Sequence, residues 1–311
     1  MAAKATRDAF GEALAKLGDK YPNLVALDAD LAKSTKSEMF GKKFPDRFFE
    51  MGIAEANMIG TAAGLALAGK IPFACSFACF VTGRFDQIRI SVAYSNANVR
   101  LVGSHAGIAI GDDGYSQQGL EDVSLMRSLP NMAVIQPADD LETEGAVEYL
   151  CHHHGPAFLR TTRQKLERVN KEGYKFEFGK LVELKSGGKD AVIFATGGEV
   201  YFALQAAQML EKEGLSVAVA NIHTIKPLDV AGILRMVDGT SAVVTAEDHQ
   251  VIGGLGSAVA EVLAEAGFGK RLLRIGLKDT FGESGEPAEC LKKYKLDAEG
   301  IASQVREFLR D

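Results

Sequence analysis

A chain of 311 residues with 47% hydrophobic side chains is long enough for about two ordinary domains, each with its own core. The 35 basic and 41 acidic residues leave a formal net charge of −6 with no long basic run, which argues against nucleic acid as a partner; every apolar stretch is broken well short of the ~18 residues of a membrane span, so a soluble, cytoplasmic protein is expected. Cys75, Cys79, Cys151 and Cys290 lack a zinc-site spacing and fit a reducing compartment, and 33 glycines beside 8 prolines ask for tight turns rather than collagen or disorder.

In chain order, Ala9, Phe10, Ala13, Leu14 and Leu17 recur at helical spacing within 5–17, and 24–27 is a short strand ending in the acidic turn 28–30. Phe48, Phe49 and Met51 make another short apolar element before Gly52. The Ala-, Gly- and Leu-rich stretch 53–68 follows as a buried helix with Glu55 in its first turn and Gly69 at its end. Residues 71–80 are expected to form a strand running into a loop, 87–94 a helix and 99–103 the next strand. Segment 107–119, GIAIGDDGYSQQG, joins four glycines to paired aspartates with little periodicity, the pattern of a functional loop. A helix at 120–129, a strand at 132–135, a helix at 139–150 and a strand at 157–160 continue the βα alternation.

Between 165 and 190 the composition shifts to Lys, Glu, Gly and scattered aromatics, so a linker is placed at 169–189, between a first domain at 1–168 and a second at 190–311. The second series runs through a strand at 191–195, a helix at 200–212, strands at 216–220 and 242–246, a helix at 255–266 behind Gly253, Gly254 and Gly256, and a strand at 272–275. Strands separated by helices imply an α/β fold of two domains, with mainly parallel sheets flanked by helices.

Among the polar residues, Glu55 stands out because its neighbours Met51, Ile53, Met58 and Ile59 are apolar, and a buried carboxylate is costly unless paired or used. A helix N-terminal glutamate satisfied by backbone N–H groups is the alternative. His105 follows a strand and precedes the glycine-rich loop, where open α/β folds place their sites. Asp112 and Asp113 suit either a ligand or an ordinary Asp-Gly turn. Contiguous His152, His153 and His154 cannot all face one metal from a helix and read better as its C-terminal cap. Glu247, Asp248 and His249 precede a glycine cluster and suit a site, an interface or a charge pair holding a turn.

The segments DADLAKS at 28–34, FFEMGIAEANMIGTAAGLALAG at 48–69, FVTGRFDQIR at 80–89, SHAGIAIGDDGYSQQGLEDV at 104–123 and TAEDHQVIGGLGSAVAEVL at 245–263 together resemble the pyrimidine-binding and C-terminal domains of transketolase. The resemblance runs from about residue 5 to about residue 305. A complete transketolase has a further N-terminal domain that holds the diphosphate of thiamine diphosphate and a divalent cation. The chain is therefore expected to be similar to the C-terminal subunit of a split transketolase.

The resemblance implies that Glu55 hydrogen-bonds N1′ of the cofactor's aminopyrimidine and so activates its thiazolium carbon, while Phe80 stacks on the pyrimidine and Phe77 walls the same pocket. Asp30 and Leu31 would approach the cofactor and Ser34 the substrate phosphate. His105 would act near the reacting carbonyl, Asp113 would read the adjacent hydroxyl, and Arg163 would pair with the sugar phosphate. Arg89 matches a family arginine of structural role. Gln117 departs from the family, where many members carry histidine; an amide can bind a hydroxyl or phosphate but cannot titrate. No residue of this chain is assigned to the metal.

The implied activity is transfer of a two-carbon ketol unit from a ketose phosphate to an aldose phosphate in the non-oxidative pentose phosphate pathway. It needs thiamine diphosphate, Mg²⁺ and an N-terminal transketolase subunit, in an α2β2 heterotetramer with a homodimeric core of this subunit. Alone, the chain would be inactive. Beta subunits of 2-oxo acid dehydrogenases share the arrangement, but GIAEANMIG, SHAGIAIGDDG and AEDH are more similar to transketolase. A non-catalytic homologue that only binds a partner is the alternative of another class.

Overall fold

The computed structural model describes residues 3–310 and contains two α/β domains. The first is built on a seven-stranded sheet in the order Thr224–Lys226, Ala133–Ile135, Ala157–Arg160, Arg100–Ser104, Ile71–Phe77, Leu24–Asp28, Phe48–Glu50. Its strands are parallel except Thr224–Lys226, which is antiparallel to Ala133–Ile135. The central strands are buried along their whole length, because helices cover both faces. Alternate residues serve opposite cores: Leu24, Ala26, Phe73 and Cys75 pack with Phe10, Leu14 and Val147, whereas Val25, Leu27 and Ala74 pack with Met58, Ile59 and Val92. Helix Glu55–Leu67 turns Met58, Ile59, Ala62 and Ala63 onto the sheet, the spacing of one helical face.

The second domain has a five-stranded sheet in the order Arg271–Leu277, Ala242–Gln250, Ala191–Ala195, Val217–Asn221, Val182–Lys185, parallel except at the last pair. Helices Glu199–Lys212 and Ala298–Arg310 cover one face through Val200, Ala203, Ala207, Ile301 and Val305. Helices Val230–Val237 and Leu255–Glu265 cover the other through Ile233, Leu255 and Val259. The domains interlock. Thr224–Lys226 lies beyond a strand of the second sheet yet completes the first, and the ribbon of Lys4–Ala5 with Lys165–Leu166 ties the chain's start to the exit from Ala157–Arg160.

Several elements differ from the sequence reading. The strand expected at 71–80 runs into a short helix, Ala78–Thr82, rather than a loop, and the Thr82 hydroxyl donates to the Ala78 carbonyl at 2.7 Å. The helix expected at 87–94 begins at Phe85 and widens over Ile88–Tyr94 into a π-helix, whose larger turn brings Ile88, Val92 and Ala93 into the core. Within the segment read as a linker, Val182–Lys185 is an edge strand of the second sheet. Strand Thr224–Lys226 and helices Val230–Val237, Pro287–Lys293 and Ala298–Arg310 were not anticipated.

Candidate active site

In the first sheet, the segments that leave the carboxyl ends of five parallel strands carry nearly every candidate side chain, the edge at which open α/β sheets build sites. Ser34 follows Leu24–Asp28, Glu55 follows Phe48–Glu50, Phe80 follows Ile71–Phe77, His105 follows Arg100–Ser104 and Arg163 follows Ala157–Arg160.

Buried Asp28 organises the first of these segments. Its carboxylate accepts from the Leu31 N–H and the Thr35 and Ser37 hydroxyls, each at 2.7 Å. Burial pushes the carboxyl up to about 6, while those donors hold it down. Asp30 takes a left-handed φ of 64°, is exposed, and donates its N–H to Glu50 Oε1 at 2.7 Å. Leu31 and Ser34 are half-buried.

His105 is the centre of the site. It is 2% exposed, and its ring stacks on Phe77 at 3.9 Å, with Phe80 also stacked against Phe77 at 5.6 Å. Nε2 lies 2.9 Å from Nη1 of Arg7, and the same Nη1 donates to the Ser34 carbonyl at 3.1 Å. A guanidinium can only donate, so Nε2 accepts, and the ring proton sits on Nδ1, donating to Ser104 Oγ at 2.8 Å. Burial, then the charges of Arg7, Arg163 and Lys36, push the imidazole down to about 3, so it is neutral.

On the other side of the site, Arg163 Nη1 donates to the Ile110 carbonyl at 2.9 Å and to Asp113 Oδ2 at 3.3 Å. Asp112 and Asp113 are exposed in the turn closed by the Gly114 N–H on the Gly111 carbonyl. Half-buried Gln117 accepts the Cys79 thiol on its carbonyl at 3.1 Å. Glu55 opens its helix with 7% of its side chain exposed. Among the described residues its carboxylate has no hydrogen-bond partner, and its one ion pair is with Arg84 at 4.0 Å. No hydrogen bond or ion pair among the described residues joins Glu55 or Asp30 to His105. Arg89 is exposed on the π-helix.

Of Glu247, Asp248 and His249, the last two bond across to the first domain, while Glu247 stays within its own. Glu247 accepts from the N–H groups of Leu255 and Gly256 at 2.7 and 2.8 Å, capping helix Leu255–Glu265. Asp248 reaches the first domain and accepts from the Ile108 and Ala109 N–H groups. His249 donates from Nδ1 to the Gln250 carbonyl and accepts the Ser124 N–H at Nε2, the neutral form that burial favours. His152 and His153 follow helix Asp140–Leu150, their N–H groups closing on the Tyr149 carbonyl.

Three functional or supporting groups escaped the sequence reading. Arg7 carried one usable signal: a cation in the first turn of a helix opposes the helix dipole and so calls for a reason. Asp28 read only as part of a turn. Arg160 and Asp122, both fully buried, form a bidentate pair at 2.7 and 3.1 Å that also holds the carbonyls of Gly119 and Asp248. Among the described residues no three His, Cys, Asp or Glu side chains group as a metal would need, and no helix is long and apolar enough to cross a membrane.

Residues 2–168 match the family model for the transketolase pyrimidine binding domain, and residues 179–301 that for the transketolase C-terminal domain. A transketolase C-terminal section from Methanocaldococcus jannaschii is 48% identical, over 99% of this chain and 97% of that one. A 6-deoxy-6-sulfo-D-fructose transketolase subunit from Clostridium is 42% identical over 97% and 93%, and human transketolase 42% identical over 98% of this chain but 49% of its own length. Among solved structures, a split-gene transketolase described as an inactive β4 tetramer superposes with a TM-score of 0.89 at 44% identity, covering 99% of both chains. The chain belongs to the transketolase family, as a C-terminal section that joins the pyrimidine-binding domain to the C-terminal domain.

Proposed function

We propose that this chain is the C-terminal subunit of a cytoplasmic, thiamine-diphosphate-dependent transketolase that moves a two-carbon ketol unit from a ketose phosphate to an aldose phosphate. The observation that carries the reading is the gathering of Ser34, Glu55, Phe80, His105 and Arg163 past the carboxyl ends of five strands of one sheet. The residues fit the aminopyrimidine end of the cofactor, since Glu55 offers a buried carboxylate free of hydrogen bonds and Phe80 a half-buried ring. Diphosphate and Mg²⁺ are assigned to the N-terminal partner subunit. When bound, thiamine diphosphate supplies the nucleophilic carbon and the electron sink.

The chain's own residues do the rest. Glu55 holds a proton between its carboxylate and the pyrimidine N1′. Arg7 and Arg163, which repel each other, form an arginine pair for a sugar phosphate, with Ser34 beside it. When the phosphate draws Arg7 away, Nε2 of neutral His105 becomes free to accept a substrate hydroxyl. Asp113 and Gln117 supply further polar contacts along the loop. An α2β2 assembly around a dimer of this chain is supported by Ile53, Leu67, Ile90 and Tyr94, large apolar side chains left exposed within 53–94.

Co-purification with the N-terminal subunit and a transfer assay test this reading, with xylulose 5-phosphate and ribose 5-phosphate as substrates and thiamine diphosphate and Mg²⁺ present. Sedoheptulose 7-phosphate should form only with both subunits, and Glu55→Gln should lower kcat about 10²-fold or more. Turnover by this chain alone, or an undiminished rate in Glu55→Gln, would sink it. Because the Clostridium relative is named for a sulfosugar, 6-deoxy-6-sulfo-D-fructose belongs in the assay as a second donor. Acylation of a lipoyl arm from pyruvate would favour a 2-oxo acid dehydrogenase subunit instead.

A further inference from the structure

Segment 107–120 carries Asp113 and Gln117 but is held largely by the other domain. Ile108, Ala109 and Leu120 are buried in one cluster with Ala191, Ile193, Val244 and Leu277 of the second domain. The Gln118 amide donates to the Glu283 carbonyl at 3.0 Å, and Gly114 packs so closely on Ser284 that a Cβ there would lie 2.2 Å from its hydroxyl. The central contact is Asp248, whose Oδ1 accepts the Ile108 N–H at 2.9 Å and whose Oδ2 accepts the Ala109 N–H at 3.5 Å. Gly107, at a φ of 85°, makes room for that carboxylate, since a Cβ there would lie 1.9 Å from Asp248 Oδ2.

Two links lead from Asp248 to the phosphate side of the site. Fixing the amides of Ile108 and Ala109 fixes the Ile110 carbonyl, one residue on. That carbonyl is where Arg163 Nη1 is anchored at 2.9 Å, and the same nitrogen reaches Asp113. We propose that Asp248 is a positioning residue of the substrate site: from the C-terminal domain it holds the backbone on which Arg163 is aimed at the substrate's anionic end. The inference rests on the transketolase reading above. It gives the C-terminal domain a part in substrate recognition without contact to substrate.

The test compares Asp248→Asn, Asp248→Ala and Glu247→Gln in the two-subunit enzyme, with ribose 5-phosphate and unphosphorylated ribose as acceptors. Glu247 is the control, because it caps a helix of its own domain. Asp248→Ala should raise KM for ribose 5-phosphate at least tenfold and leave KM for ribose within twofold. Asp248→Asn, which keeps an oxygen for Ile108, should fall between Asp248→Ala and the parent, and Glu247→Gln should change neither. Equal losses for both acceptors, or no loss, would overturn the proposal. Amide exchange in the purified chain reads the brace without activity: 108–119 should exchange at least tenfold faster in Asp248→Asn with both sheets unchanged, and unaltered rates there would also overturn it. If the parent complex moves no glycolaldehyde at all, the function fails while the exchange result still decides the brace.

Discussion

Nη1 of Arg7 donates to Nε2 of His105 across 2.9 Å, joining the first turn of a helix to the end of a strand 98 residues away. The bond fixes the tautomer, because Nε2 can only accept from a cation and Nδ1 then donates to Ser104 Oγ. We expect nitrogen NMR of the imidazole to show the Nδ1–H form with no titration between pH 5 and 8. Replacing Arg7 with methionine should move the titration upward from about 3, since one of the charges that depress it is gone while burial persists. A ring that titrates near 6.5 in the parent would contradict this geometry. Linkage gives a second sign: the unfolded histidine takes up a proton below 6.5 and the folded one does not until about 3, so His105 costs stability as pH falls through that window.

The contrast between Arg7 and Phe80 indicates what the sequence could reveal. Phe80 and Glu55 lie in motifs that survive as contiguous letters, so their roles could be carried across by resemblance. The contact of Arg7 with His105 depends on two distant segments meeting at one sheet edge, and no local pattern records it. Strands such as Leu24–Asp28 and Ala191–Ala195 were legible because sheets covered on both faces need unbroken apolar runs. Thr224–Lys226 was not, because three residues carry no periodicity and its partner belongs to the other domain. The helix Ala298–Arg310 buries Ile301, Ala302 and Val305 along one face, a helical spacing that the sequence itself carries.

The Arg160–Asp122 pair is fully buried, so removing one member leaves the other's charge without compensation. Asp122→Ala should therefore cost about 3–5 kcal/mol of unfolding free energy, read by denaturant titration. The surface pair of Lys20 with Glu148 is the comparison: Glu148→Ala should change stability little, because water already screens both groups. Similar losses in the two variants would mean that burial does not set the value of the Arg160 pair. The Asp248 carboxylate also acts on the charge of Arg160, so Asp122→Ala and Asp248→Ala should combine non-additively.

Glu142 places a carboxylate fully inside the contact between the two domains. It accepts from the Ala138 N–H at 2.7 Å, from the Tyr174 hydroxyl at 2.9 Å and from Asn221 Nδ2 at 2.9 Å on both oxygens, yet burial outweighs these donors and pushes it up to about 7. A raised carboxylate means that the folded state binds the proton more tightly than the unfolded one. Its contribution is therefore fully present below 4.5 and is lost as pH rises from 4.5 through about 7. Glu142→Gln removes that dependence while keeping the shape, and the amide NH₂ can pair with Asn221 Oδ1, which is buried without a partner, once the Asn221 amide flips. Between pH 4.5 and 8 the parent should lose roughly 3 kcal/mol more than Glu142→Gln. Glu247, also raised to about 7 by burial, keeps some slope in both proteins. Denaturant midpoints taken across that range decide it: curves that stay parallel for parent and variant would show that folding leaves the proton affinity of Glu142 unchanged.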